Sequence, residues 1–277
     1  MQGKICMVTG ASSGIGKAIA VKLACLGATV IAVCRDPVRG KNALRDIKDA
    51  SHSGGVELMI ADLSSQAAIC KLADDYKHTH DQLHVLINNA GVNCGTFSKT
   101  VDGIETTFAV NYLSQFLLTN LLLETLQASA PSRIVNLIGW EGKALDFENL
   151  MSAKQYNGLR AYQQSQTARV LFTRELARQL AGTGVTANCV TPGFARTNLG
   201  RDVKGSFKLF LTLMRPFMIS PEKGAEAPVY VGTAPDVKEV TGRTFANKKE
   251  QAVKPFDEAA AQRLWRNSSE LTGLPSR

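Results

Sequence analysis

The chain has 277 residues, 44% of them hydrophobic and 20% charged, a composition that suits one globular α/β domain with a sizeable core. Its formal net charge is +8, but the basic residues are scattered and aromatics are only 6%, which argues against the basic, aromatic-rich stripe of a nucleic-acid binder. No stretch approaches the ~18 consecutive apolar residues that cross a bilayer. The N-terminus, MQGKICMVTG, enters a strand-like run at once, so neither a signal nor a transit peptide is expected.

Apolar, β-branched runs recur at Ile5–Val8, Thr29–Val33, Val56–Ile60, Val85–Ile87, Ile134–Leu137 and Val185–Val190. Segments of helical period separate them, among them Gly16–Leu26 and Tyr112–Leu126. This alternation predicts a single Rossmann-type, doubly wound domain over 1–277. Ligands should then bind beyond the carboxyl ends of the strands. The segment Gly200–Ser220 turns from basic to apolar. It reads as a core helix, as a lid over a pocket for a small apolar organic substrate, or as a peripheral membrane contact.

Cys6, Cys25, Cys34, Cys70, Cys94 and Cys189 form no C-x-x-C pair and no metal-type spacing with histidine. Reduced thiols imply a cytoplasmic setting. His78 and His80 lie in a polar stretch, read as a surface loop rather than a metal site.

After the first run comes Thr9-Gly10-Ala11-Ser12-Ser13-Gly14-Ile15-Gly16. Glycines between a first strand and a helix let backbone N–H groups meet a pyrophosphate at the helix N-terminus. The second run ends Cys34-Arg35-Asp36. Cys34 cannot accept from a ribose 2′-OH, whereas Arg35 can pair with a 2′-phosphate. Asp36 stands one residue late and precedes Pro37. NADP(H) is therefore expected over NAD(H).

Thr9–Gly16, Asp62-Leu63, Asn88-Asn89-Ala90-Gly91, Leu171–Ala177 and Thr191-Pro192-Gly193 resemble the short-chain dehydrogenase/reductase family. With the tail Arg263-Leu264-Trp265 and Glu270–Leu274, the chain is similar to its retinol-dehydrogenase-like branch. The resemblance implies a mainly parallel seven-stranded sheet and, in many relatives, dimers or tetramers. It places Gly10, Ser12, Ser13, Gly14, Ile15 and Gly16 on the pyrophosphate, and Asp62 and Leu63 against adenine. Asn89, Ala90 and Gly91 fall along the adenosine ribose. Pro192, Gly193 and Thr197 come near the nicotinamide, which Tyr162 and Gln166 also touch.

Such relatives move a proton with an asparagine, a serine, a tyrosine and a lysine. By this resemblance Asn111 is the asparagine and Tyr162 the tyrosine, but Gly139 falls at the serine position and Gln166 at the lysine position. The alternative register, Tyr156 with Arg160, misplaces the following helix. Arg169, Lys154, Ser152 and Glu141 lie near enough in sequence to be weighed as substitutes. Without the lysine charge, Tyr162 drifts toward the reference value of about 10, leaving roughly one part in a thousand ionised at pH 7. That loss is worth about 4 kcal/mol, and a missing oxyanion donor costs about 2–4 kcal/mol more. Oxidation suffers more than reduction, because a protonated tyrosine still donates. A cationic iminium needs no acid, and Glu141 would stabilise it if it points inward. Three functions stay open: an atypical NADP(H)-dependent reductase of an apolar carbonyl, enone or imine; a non-redox isomerase, cyclase or lyase; and a non-catalytic NADP(H)-binding protein.

Overall fold

The computed structural model describes residues 1–139, 142, 144–193, 218–252 and 255–275. Eight strands form one sheet in the order β3-β2-β1-β4-β5-β6-β7-β8. They are β1 (Ile5–Thr9), β2 (Thr29–Cys34), β3 (Val56–Ile60), β4 (Val85–Asn88), β5 (Ser132–Leu137), β6 (Val185–Thr191), β7 (Thr244–Ala246) and β8 (Lys249–Glu250). The first seven pair in parallel, and β8 alone is antiparallel, on β7. The expected seven strands thus gain an eighth. Asn247 and Lys248, at φ 48° and 63°, make the tight two-residue reversal that such a hairpin needs, without the glycine that would have announced it.

Strand side chains alternate between faces, and both faces are covered. Met7, Ile31, Val33, Leu86 and Ile134 enter one apolar cluster, while Cys6, Val8, Val30, Ala32, Val85, Ile87 and Val135 enter the other. Burial on both faces explains why the runs read as continuously apolar rather than alternating. Helices α1 (Gly14–Cys25) and α2 (Pro37–Ser51) cover the second cluster. Helix α3 (Gln66–Thr79) contributes Ile69, Leu72, Ala73 and Tyr76 to the first.

The expected helix Tyr112–Leu126 is several pieces: α4 (Thr106–Phe108), a π-helical turn at Ala109–Leu113, α5 (Ser114–Leu121) and α6 (Leu123–Ala128). A π turn widens the helix by one residue and recurs at functional sites. Here it carries Asn111. Helix α7 (Gly158–Gln179) and the C-terminal helix Glu258–Thr272 complete this face. Phe116 and Phe172 meet Trp265 at ring distances of 5.1 and 5.7 Å, and Tyr112 Oη is 2.6 Å from Ser268 Oγ. The tail that resembled retinol dehydrogenases therefore braces α5 and α7.

His78 and His80 are not on a loop. His78 lies in the last turn of α3, and His80 caps it while stacking on Tyr76. Among the described residues no cluster suits a metal ion, and no helix is long and apolar enough to cross a membrane.

Candidate active site

The cradle forms where β1, β2 and β4 end. Thr9 Oγ1 accepts from the amides of Asn89 and Ala90 at 3.0 and 3.1 Å, and Asn89 Nδ2 donates to Thr9 O at 2.8 Å. Asn89 thus ties β4 to β1 with its side chain. A Cβ on Gly16 would lie 2.4 Å from both Asn89 Nδ2 and Gly10 O, so glycine alone lets α1 start this close to the strand end. Gly14, at φ +58°, has nothing within 4 Å of where its Cβ would stand.

Helix α1 begins differently from the longer helices. Asp36, Ser65, Asn157 and Asp257 cap α2, α3, α7 and the C-terminal helix through their side chains. The α1 N-cap, Ser13, makes no capping bond, and no acidic residue stands in the first turn. The N–H groups and the positive end of the helix are thus left for an anion. A dinucleotide pyrophosphate fits this cradle, held by Gly10–Gly16; Ser12 and Ile15 lie within it.

Arg35 is exposed at the end of β2. Sequence reading missed Arg39, whose Nη2 reaches Ser13 Oγ at 3.5 Å. Its place in the first turn of α2, four residues after Arg35, was the available signal. Asp36 accepts from Arg39 N at 2.7 Å, so its carboxylate serves α2. Asp62 accepts from Ser64 N and Oγ at 3.0 and 2.8 Å, while Leu63 belongs to the core. Gly91, Pro192 and Gly193 lie at the same edge of the sheet, after β4 and β6. Glu141, Thr197 and positions 200–217 of the expected lid lie outside the described residues.

Next to the cradle, the structure brings together Gly139, Tyr162, Gln166 and Asn111. Gln166 Oε1 accepts from Gly139 N at 2.9 Å, and its Nε2 donates to Ser165 Oγ at 3.0 Å. Asn111 Nδ2 also donates to Ser165 Oγ, at 3.0 Å, and Ser165 in turn donates to Tyr162 O at 2.6 Å. Ser165 is thus the hub of a buried network, a role that nothing local in the sequence marks. The oxygen and one amide hydrogen of Gln166 are taken up by Gly139 and Ser165, which leaves its second amide hydrogen uncommitted.

A Cβ on Gly139 would stand 2.0 Å from Tyr162 Oη. The phenol therefore occupies the place where any side chain at 139 would begin. Burial raises the Tyr162 pKa above its ordinary value, and the Arg169 charge opposes that rise.

Arg169 is 4% exposed. It donates from Nε to Asn111 O, from Nη1 to Leu137 O at 2.6 Å and from Nη2 to Ala90 O at 2.5 Å. Burying a guanidinium costs several kcal/mol, and three charge-assisted bonds at about 1.5–3 kcal/mol each offset that. Burial pushes its pKa down to about 10, so it stays cationic at neutral pH. The other substitutes weighed from sequence are placed elsewhere. Lys154 is exposed, Ser152 Oγ accepts from Gln164 Nε2 at 3.1 Å, and Tyr156 donates to Cys94 O at 2.8 Å while Arg160 pairs with Asp146.

The family model described as short chain dehydrogenase matches residues 4–206. The chain belongs to the short-chain dehydrogenase family. This short-chain dehydrogenase is 41% identical to retinol dehydrogenase 14 of Mus musculus over 99% of its own length and 87% of that protein. A crystal structure of an uncharacterised protein from Mycobacterium paratuberculosis superposes with a TM-score of 0.79 at 30% identity, covering 100% of this chain and 96% of that one. The RhlG/NADP active-site complex of Pseudomonas aeruginosa matches with a TM-score of 0.70 at 28% identity, covering 89% and 95%. Membership of the family, with retinol dehydrogenases among the relatives, makes the activity class oxidoreductase and the cofactor class nicotinamide dinucleotide.

Proposed function

We propose that this short-chain dehydrogenase is an NADP(H)-dependent reductase of a small or medium apolar carbonyl, enone or imine. Tyr162 is its proton donor, and Gly139 and Gln166 stand where relatives carry serine and lysine. The observation that carries this reading is the hydroxyl of the half-buried Tyr162, which fills the space beside Gly139. A single phenol then does what two hydroxyls do elsewhere: it holds the substrate oxygen and gives it a proton.

The direction of the chemistry follows from protonation. Burial favours the neutral phenol, which is the form that donates; oxidation of an alcohol needs the tyrosinate. A reduced nicotinamide dinucleotide, held by Gly10–Gly16, would supply the hydride to the substrate carbon. The C=O electron pair moves to oxygen, the Tyr162 O–H bond breaks, and its proton passes to that oxygen. Solvent then returns a proton to the tyrosinate. The Asn111–Ser165–Gln166 network fixes the α7 backbone at Tyr162 and aims its ring.

Arg35 and Arg39 supply two cations for a 2′-phosphate, and Asp36 has one carboxylate oxygen committed to capping α2. The apolar character of the substrate rests on the sequence between 200 and 220. NADPH oxidation against a panel of ketones, enones and preformed iminium ions tests the reading. Consumption is expected with at least one class, and faster for enones and iminium ions than for simple ketones. Tight NADPH binding with no consumption across the panel would overturn it.

A further inference from the structure

Gly139 lies just past the end of β5, and its backbone does not call for glycine, because its φ is outside the left-handed region that other residues avoid. The space around it does. A Cβ there would stand 2.0 Å from Tyr162 Oη, 3.0 Å from Cζ and 3.3 Å from Cε1. The three nearest atoms beyond the neighbouring residues thus all belong to one side chain, the proton donor of the reductase reading.

The amide of the same glycine is held from α7. Gly139 N donates to Gln166 Oε1 at 2.9 Å, and Gln166 Nε2 donates to Ser165 Oγ, which donates in turn to Tyr162 O. The contacts close into a ring: Gly139 gives the phenol its seat, and Gln166 ties that seat to the helix that carries the phenol. A lysine has three N–H donors and no acceptor, so at position 166 it could not take the Gly139 N–H.

We propose that Gly139 and Gln166 are positioning residues that act together through Tyr162. The missing Cβ seats the hydroxyl against the end of β5, and the glutamine oxygen fixes the main chain that forms the seat. The glycine is then a requirement of this site, and restoring a serine there does harm. Any side chain at 139 must shift the hydroxyl by at least about 1 Å, because Cβ contacts under 3.0 Å are essentially never adopted. A misplacement of that size at a reacting group costs about 10²-fold in rate.

This inference rests on the reductase reading for its catalytic consequence, but its first test needs no turnover. Thermal unfolding of wild type, Gly139→Ala, Tyr162→Phe and the double variant forms a cycle that cancels the backbone effect of replacing glycine. Gly139→Ala should lower Tm by about 2–6 °C in wild type, and by half of that or less in the Tyr162→Phe background, which lacks the atom at 2.0 Å. Folding of Gly139→Ala only in the Tyr162→Phe background would be the same result in its strongest form. An equal loss in both backgrounds, or failure to fold in both, overturns the proposal.

Ketone reduction then reads the positioning. Gly139→Ser should lower kcat about 10²-fold, with KM for NADPH within about twofold. Gln166→Met and Gln166→Lys, neither of which offers the Gly139 amide an equivalent acceptor, should each lower kcat about 2–10-fold. Unchanged or faster reduction by Gly139→Ser or Gln166→Lys overturns the proposal. Coupling in the thermal cycle without any NADPH consumption by wild type would keep the seating of Tyr162 and remove the reductase reading. Consumption without coupling would do the reverse.

Discussion

Two neighbouring regions at the carboxyl edge of the sheet are built from different materials. Around β1, β4 and α1, the cradle is made of main chain: Gly10, Gly14 and Gly16 set its shape, and Thr9 and Asn89 lock the strand ends together. Around β5 and α7, side chains make the site, with Gln166, Ser165, Asn111 and Arg169 joined in one buried network. Backbone geometry tolerates little change, because a single Cβ at Gly16 meets backbone. Side-chain chemistry can be exchanged while the strand and helix stay in place. The difference teaches that cofactor binding and proton transfer are separable in this fold, and substitutions should affect one region while sparing the other.

The largest separation is expected from Tyr162→Phe. Reduction of a ketone should slow by about 10²–10⁴-fold, the usual worth of a positioned acid, while NADPH affinity stays within about twofold. Steady-state kinetics beside a binding titration show both. Equal loss of binding and turnover would mean that the two regions are not separable.

Replacing both Arg35 and Arg39 by alanine attacks the cradle instead. Losing charge-assisted bonds worth about 1.5–3 kcal/mol should cut the preference for NADPH over NADH about 10–100-fold, with the turnover of bound enzyme unchanged. Next comes Gly16→Ala. Its Cβ would stand 2.4 Å from Gly10 O, and overpacking of this kind costs about 1–3 kcal/mol of stability, read as a lowered denaturation midpoint with weakened NADPH binding.

The smallest effect belongs to the opposite end of the strands, away from the site. His84 Nδ1 accepts from Ile5 N at 3.1 Å, and burial, helped by the Lys4 charge, lowers its pKa below the usual histidine value. The unfolded chain therefore takes up a proton near pH 6.5 that the folded chain refuses. The stability contributed by neutral His84 is present above that pH and is lost as pH falls below it. Melting should drop between about pH 7.5 and 5.5, and less so in His84→Asn, whose amide oxygen can still accept from Ile5. Equal pH dependence in the two proteins would remove this role.

Much of the main-chain region was legible in the sequence. Glycines between a strand and a helix leave a fixed spacing, and strands buried on both faces leave continuous apolar runs. The side-chain region was legible only at Asn111, Gly139, Tyr162 and Gln166, which sit in or beside quotable motifs. Ser165 and Arg39 act through contacts across 54 and 26 positions, which no local pattern announces. Arg169 could be weighed from its spacing on α7, but its burial among carbonyls of three elements needed the fold. The eighth strand was missed because Asn247–Lys248 turns the chain without glycine.

Transfer of label from NADPH carrying deuterium at the reactive carbon tests the reductase account most directly. The product should gain one deuterium on carbon, with one exchangeable hydrogen on oxygen where the substrate is a ketone and none where it is an iminium ion, and Tyr162→Phe should suppress the transfer to ketones while sparing iminium ions. Product formed without deuterium, or NADPH bound and never consumed, would contradict it.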